Sequence, residues 1–304
     1  MNALSLADVG HPNEFEGELT IADELKQLER NVYSQNGEDG IIEWVFSRIA
    51  PRHRICVEFG AWNGHNLSNT FNLIAHHGWK AIHIEADPKK FRALQKTAAT
   101  YPTITPVCSL VTATGESSLD RILDRHGIPE DFDLLSIDID GGDYDVWEAT
   151  VRYRPTLVVI EHNATFPPGF DYIDRRGLGF IGSSATSLAA LASRKGYALL
   201  GCTATNSFFL LESCFSALGA KPQTVEQALD RGPTCYVLIN HAGEFVFSNG
   251  AVAAQLKAVT YARPLKSWVR RALRLPTFYA LGEAHREGGA VLRVLRWIML
   301  SARR

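Results

Sequence analysis

Residues 55–64 read ICVEFGAWNG, and the rest of the chain is organised around them. An apolar run from Ile55 carries one carboxylate, Glu58, and ends in Gly60 and Gly64 with the polar Asn63 between them. β-Branched and aromatic residues at the start of the run suit a buried strand. The two glycines permit backbone angles, or a closeness of approach, that a Cβ resists. A parallel strand that runs into such a turn is how an open α/β sheet presents a ligand at its carboxyl edge. The arrangement then repeats: residues 80–87 read KAIHIEAD, a second strand ending in acid, with Glu85 lying 27 residues beyond Glu58. A carboxylate there, one crossover later, is where the two ribose hydroxyls of a nucleoside are gripped.

Working outward, strand, turn and helix alternate several times. Leu67 to His77 reads as the first crossover helix, closed by Gly78. Pro88 opens the next helix, and a short strand runs from Ile104 to Cys108. Leu110 then falls where a third strand tip would meet a cofactor base. Phe132 to Asp140 reads as the fourth strand, ending in the densest acidic group of the chain: Asp138, Asp140 and Asp143 around Gly141 and Gly142. Asp138 is read as an internal carboxylate or as a further cofactor contact. Thr156 to Ile160 is the fifth strand and delivers Glu161 and His162. Tyr197–Cys202 and Ser207–Leu211 are expected to pair as an antiparallel hairpin at the sheet edge. The predicted fold class is α/β, a doubly wound, mostly parallel sheet with that edge hairpin.

Charge and composition bound the function. Apolar residues make up 46 % and charged residues 21 %, as in an ordinary soluble chain. The five cysteines are scattered, which predicts buried free thiols in a reducing compartment. The N-terminus has no basic, strongly apolar leader, so a cytoplasmic protein is expected. Residues 255–304 hold 11 Lys or Arg against Glu283 and Glu287. The body is therefore acidic and the tail basic and amphipathic, a pattern that suits either packing on its own domain or the surface of an anionic membrane. No basic, aromatic-laced channel suggests a nucleic acid. The organisation read from this is a lead over 1–32, a catalytic domain over 33–250 and the basic segment over 251–304. Oligomerisation is plausible but leaves no signature.

The chemistry of the tips narrows the ligand. Glu58 before the turn repels a pyrophosphate, and the third glycine of a dinucleotide fingerprint is missing. A ligand bearing ammonium and sulfonium groups, S-adenosylmethionine, fits that charge better than NAD. Glu58, Gly60, Asn63, Gly64, Glu85, Ala86, Leu110 and Asp138 are the expected cofactor contacts. Asp140, Glu161 and His162 offer two oxygen ligands and an imidazole, a set for Mg2+ or Mn2+. A metal so held would lower the pKa of an acceptor hydroxyl, with His162, Asp143 or Asp140 in catalytic roles. The block YSQNGEDGI at 33–41 is read as a helix cap or as a loop folding over a bound ligand. Residues 164–183, rich in glycine and aromatics, are read as a substrate loop.

Four stretches carry a resemblance: VEFGAWNG at 57–64, IHIEAD at 82–87, SIDIDGGDYDVW at 136–147 and VVIEHN at 158–163. They resemble class I S-adenosylmethionine-dependent methyltransferases, and among them the FkbM-like group and the metal-dependent sugar O-methyltransferases. YSQNGEDGI also resembles a segment that precedes the FkbM-like domain. The resemblance implies a Rossmann-like methyltransferase fold. It implies a methionine pocket around Glu58, Gly60 and Gly64, and a ribose contact at Glu85. By the same resemblance, metal ligands fall on Asp140 and on Glu161 with His162, where those enzymes more usually carry a second carboxylate. The implied activity is O-methylation of a sugar or related small hydroxylated acceptor. N-methylation, or nucleoside binding without catalysis, are the other readings.

Overall fold

A computed structural model describes residues 21–139, 141–175, 182–229, 237–239 and 245–247. The chain divides into two compact units, 1–236 and 237–304. In the first unit, α1 (Ile21–Leu28) and α2 (Glu38–Arg48) precede β1 (Ile55–Phe59), α3 (Phe71–His77), β2 (Lys80–Glu85), α4 (Pro88–Thr100) and β3 (Ile104–Cys108). There follow α5 (Leu119–Arg125), β4 (Leu134–Ile137), α6 (Asp143–Ala149), β5 (Leu157–Glu161) and α7 (Ala185–Arg194). The hairpin β6 (Tyr197–Cys202) and β7 (Asn206–Leu211) and two short helices, α8 (Phe215–Leu218) and α9 (Val225–Ala228), complete the unit. In the second, β8 (Val237–Ile239) and β9 (Phe245–Phe247) pair antiparallel. The basic tail, Asp140 and the lead over 1–20 lie outside the described residues. Among the described residues, no helix is long and apolar enough to cross a membrane.

The seven strands run in the order β3-β2-β1-β4-β5-β7-β6. The first five pair in parallel, and β7 joins β5 antiparallel with Glu161 opposite Asn206. This is the expected doubly wound sheet with its antiparallel edge hairpin. Strand order reverses between β1 and β4, so the crevice outside their carboxyl ends is the place for a ligand. Strand alternation divides the apolar residues between two layers. Val57, Phe59, Leu135, Ile137, Val158 and Ile160 face one helical layer with Ile122, Trp147 and Leu188. Cys56, Leu134, Leu157 and Val159 face the other, with Ile41, Val45, Phe71 and Leu94. Both faces are covered, which is why these strands read as continuous apolar runs rather than as alternation.

Several local expectations are corrected. The first crossover helix starts at Phe71, not Leu67, because Leu67 sits at φ +57° and residues 68–70 are drawn inward by Glu58. The fourth strand is shorter than Phe132–Asp140: the Asp133 carboxylate takes the amides of Arg52, His53 and Ile55 at its start, and Asp138 is already exposed at its end. Residues 119–126 read in sequence as a short helix with Asp120 on a solvated face, but the Asp120 carboxylate accepts from the Val151 and Arg152 amides. Of the described thiols, Cys56 is buried as expected and Cys108 is exposed.

Candidate functional site

The turn after β1 is pinned from two sides. The amides of Gly60 and Ala61 both donate to the Ile84 carbonyl at 3.1 Å, which folds the turn onto β2. Gly60 is at φ +80°, and a Cβ there would run into the Asp138 carbonyl at the tip of β4. This is the switch point itself, and only a glycine lets the two tips close. At Gly64, φ +71°, a Cβ would lie 2.5 Å from Leu94 Cδ1 and 2.9 Å from His83 Nδ1. Asn63 accepts from the His65 and Asn66 amides through one oxygen, closing the turn as an Asx cap. Trp62 and Leu67 carry φ of +46° and +57° and are 41 % and 52 % exposed. Side chains rarely adopt such angles, and the cost of about 1–3 kcal/mol each persists only where surroundings impose it.

Glu58 is buried. One oxygen accepts from the Ser68 and Thr70 hydroxyls at 2.6 Å, the other from the Asn69 amide at 3.0 Å. His83 Nε2 lies 2.8 Å from Thr70 Oγ1 and 3.4 Å from Glu58. Burial holds the His83 pKa down, and the nearby Glu58 only partly offsets this. The sequence reading placed Glu58 on the ligand's cationic end; its described partners are the 68–70 loop and His83.

At the tip of β2, Glu85 is buried and accepts from the Asp87 amide at 2.7 Å. Asp87 caps α4 through the Lys89 and Lys90 amides, which hold its carboxyl below the usual range. Ala86 is exposed. The Ser109 amide donates to the Glu85 carbonyl at 3.2 Å, so Leu110, 56 % exposed, stands beside the β2 tip. Glu85, Ala86 and Leu110 are therefore brought together at one end of the crevice.

The tips of β4 and β5 form the other end. Asp138 is exposed and its amide donates to the Phe59 carbonyl. Asp140 lies outside the described residues. Asp143 is buried, and its two oxygens accept from the Ile139 and Gly141 amides at 3.0 Å, so it shapes the loop that contains Asp140. Glu161 is half-buried opposite Asn206. His162 is 2 % exposed. Its Nδ1 lies 3.0 Å from Ser207 Oγ, and its buried Nε2 makes no hydrogen bond. Burial pushes its pKa down to about 4, so the ring is neutral near pH 7.

Among the described residues, no group of three His, Cys, Asp or Glu is placed to hold a metal. β5 ends at Glu161, which is half-buried, and His162 just beyond it is buried with Nδ1 beside Ser207. Among the described residues these two are not gathered with a third ligand.

Sequence reading missed two features. Glu38 is wholly buried and accepts from Thr203 Oγ1 at 2.7 Å, Asn206 Nδ2 at 2.9 Å and the Asn36 amide at 2.8 Å. The polar block at 33–41 was the only signal for it. The second is an aromatic stack after β5: Phe166 and Phe170 lie parallel at 5.2 Å, with Tyr172 4.7 Å from Phe166. The composition of 164–183 pointed to it without giving its geometry.

Comparison with known proteins finds one local likeness. Residues 107–181, which include the tips of β4 and β5, match the methyltransferase FkbM domain. No curated protein matches this chain. Among solved structures, the citrinin polyketide synthase CMeT domain is 13 % identical with a TM-score of 0.41, over 57 % of this chain and 50 % of that one. The N-terminal domain of EvdMO1, solved in the presence of SAH and D-fucose, is 12 % identical with a TM-score of 0.38, over 62 % and 93 % of the two chains. TrmK of M. capricolum, in complex with S-adenosyl-homocysteine, is 10 % identical with a TM-score of 0.37, over 56 % and 67 %. The chain spans about half the length of the first of these structures.

Proposed function

We propose that the protein transfers a methyl group from S-adenosylmethionine to a hydroxyl of a sugar or related small acceptor, in the crevice between the tips of β1 and β4. The observation that carries this reading is Gly60, whose missing Cβ lets the β1 turn close on the Asp138 carbonyl. That closure leaves exposed backbone for a ligand at the switch point, with Glu85 and Leu110 at its far end. Glu85, Ala86 and Leu110 would hold the ribose and base; Gly60, Asn63 and Gly64 would line the methionine part. Glu58 would act at one remove, by ordering residues 68–70 behind the turn.

When bound, the cofactor supplies an electrophilic methyl on a sulfonium. The acceptor hydroxyl would receive that methyl, and its proton must then be taken up by a residue of the chain. In this reading His162 takes it at Nε2; support comes from Nε2 having no hydrogen-bond partner among the described residues. A weak base suffices late in such a step, because the oxygen becomes strongly acidic as it alkylates. The stacked Phe166 and Phe170, the latter 48 % exposed, supply a flat apolar surface in the loop after β5, suited to the C–H face of a sugar ring.

Calorimetric titration with S-adenosylhomocysteine tests the cofactor, followed by a screen of sugar-bearing hydroxyl acceptors against matched amines. Micromolar binding with methylation of a hydroxyl acceptor that His162→Gln abolishes is the expected result. Failure of the folded protein to bind the homocysteine product refutes the cofactor reading. Methylation of amines alone refutes the acceptor class.

A further inference from the structure

We propose that the segment 33–40, which precedes the sheet, is part of the catalytic face, and that Glu38 is a positioning residue for His162. The proposal rests on reading His162 as the proton acceptor. It starts from the cost of Glu38. A carboxylate with no exposure is expensive unless its oxygens are fully used. Glu38 stands in the first turn of α2, where the usual role is to cap the helix's own amides. It instead reaches residues far along the chain, Thr203 and Asn206, in the turn between β6 and β7.

That turn holds His162. The His162 amide donates to the Thr205 carbonyl at 2.7 Å, and Ser207 meets Nδ1. Asn36 grips the same turn, its Nδ2 donating to Thr205 Oγ1 at 2.8 Å. Three residues of the turn are thus fixed by two residues of the preceding segment, and the turn fixes His162 by backbone and ring. The other end of the segment is also anchored at the crevice. One Asp39 oxygen takes the amides of Val32, Tyr33 and Ser34, at 2.9, 2.7 and 2.7 Å, and bends the chain. The Tyr33 ring then packs edge-on against His65, just past the glycine turn, at 5.1 Å, and against Phe71 at 4.8 Å. The segment so links the β1 turn to the β5–β7 tip.

Two buried polar atoms at that tip make no hydrogen bond: His162 Nε2 and Asn206 Oδ1. An ordinary core does not leave such atoms unpaired. Their neighbours on the same residues, His162 Nδ1 and Asn206 Nδ2, are bonded to Ser207 and Glu38. Each residue is held by one end with the other kept back, the arrangement of groups oriented for a ligand. For His162 to accept a proton at Nε2, its one ring proton must sit on Nδ1 and be donated to Ser207. The Ser207 hydroxyl can accept from Nδ1 or donate to it, and in this proposal the turn's hold on His162 and Ser207 favours the Nδ1-protonated form.

The test uses the full chain labelled with 15N-histidine, the His162 ring signals being those absent from His162→Gln. In Glu38→Gln the new amide N–H faces the Asn36 amide, donor against donor, and the neutral oxygen left to Thr203 and Asn206 is a weaker acceptor, so the hold on the turn loosens. Asn36→Ala is a milder second variant, cutting only the link to Thr205 Oγ1. Wild type is expected to show a single tautomer protonated at Nδ1. Both variants should show averaged tautomer signals while binding S-adenosylhomocysteine within about threefold of wild type. Asp133→Asn serves as the structural control: its carboxylate ties three amides at the opposite end of β1. It should lower the melting temperature and leave the His162 signals in place. Unchanged His162 signals in folded Glu38→Gln and Asn36→Ala overturn the proposal. So does a shift of those signals in Asp133→Asn as large as in Glu38→Gln. Loss of homocysteine binding in wild type would instead strike the cofactor reading, and the ring signals would still decide the role of Glu38.

Discussion

Replacing His162 by glutamine should make the protein less sensitive to acid. The folded pKa of His162 is about 4 against an ordinary 6.5, and burial is the cause. The folded state thus binds fewer protons than the unfolded state between those values. Stability from the neutral ring is full above pH 6.5 and is lost as pH falls toward 4. A difference of 2.5 units corresponds to about 3 kcal/mol in the limit. At pH 5 the unfolded histidine is nearly all protonated and the folded one mostly neutral, so about 2 kcal/mol is already lost. Glutamine does not titrate, so the variant lacks this loss. The buried pair His83 and Glu58 is present in both proteins and cancels in the comparison. Urea unfolding at pH 7 and pH 5 measures it, followed by tryptophan fluorescence; Trp147, buried 5.2 Å from the Phe209 ring, reports on the core. The variant starts lower at pH 7, having lost packing. Between pH 7 and pH 5 wild type should lose about 2 kcal/mol more than the variant. Parallel losses, within about 0.5 kcal/mol, would refute a buried neutral ring.

Other perturbations separate the parts of the crevice. Gly60→Ala forces the β1 turn off the β4 tip, and homocysteine affinity should fall at least tenfold in calorimetry; an unchanged affinity would move the cofactor elsewhere. Glu58→Gln leaves an amide N–H facing hydroxyl and amide donors, so it should lower stability by about 1–3 kcal/mol in denaturant. A loss of affinity without loss of stability would restore Glu58 to direct contact with the ligand. The basic tail is proposed to touch anionic membranes, and a chain lacking residues 264–304 should sediment less with phosphatidylserine vesicles than the full chain; equal sedimentation would exclude that role.

How much of this was legible depends on the range of each interaction. The strands were readable because both faces of the sheet are covered and the apolar runs are unbroken. The turn at 60–64 was readable because its glycines answer to backbone angle and close approach. Asp87 and Pro88 announce α4 locally, through cap and fixed φ. The late start of α3 was not readable, since nothing in residues 67–70 says that Glu58 will claim them. Glu38 was legible only as part of an unusually polar block. Its partners lie 165 and 168 residues away, and no periodicity spans that distance.

The acids show why composition at strand tips overstates a site. Glu58, Glu85, Asp138 and Asp143 look alike in sequence, each an acid at or just past the carboxyl end of a strand. In the fold they differ by how their oxygens are used. Asp143 accepts from two loop amides, and Glu58 from an amide and two hydroxyls, so both act by holding backbone in shape. Glu85 has one described bond, to the Asp87 amide, and Asp138 is exposed. A carboxylate saturated by internal donors has little left for a ligand, and removing it costs stability before it costs affinity. Variants of Glu58 and Asp143 should therefore be compared first by unfolding, and those of Glu85 first by cofactor binding.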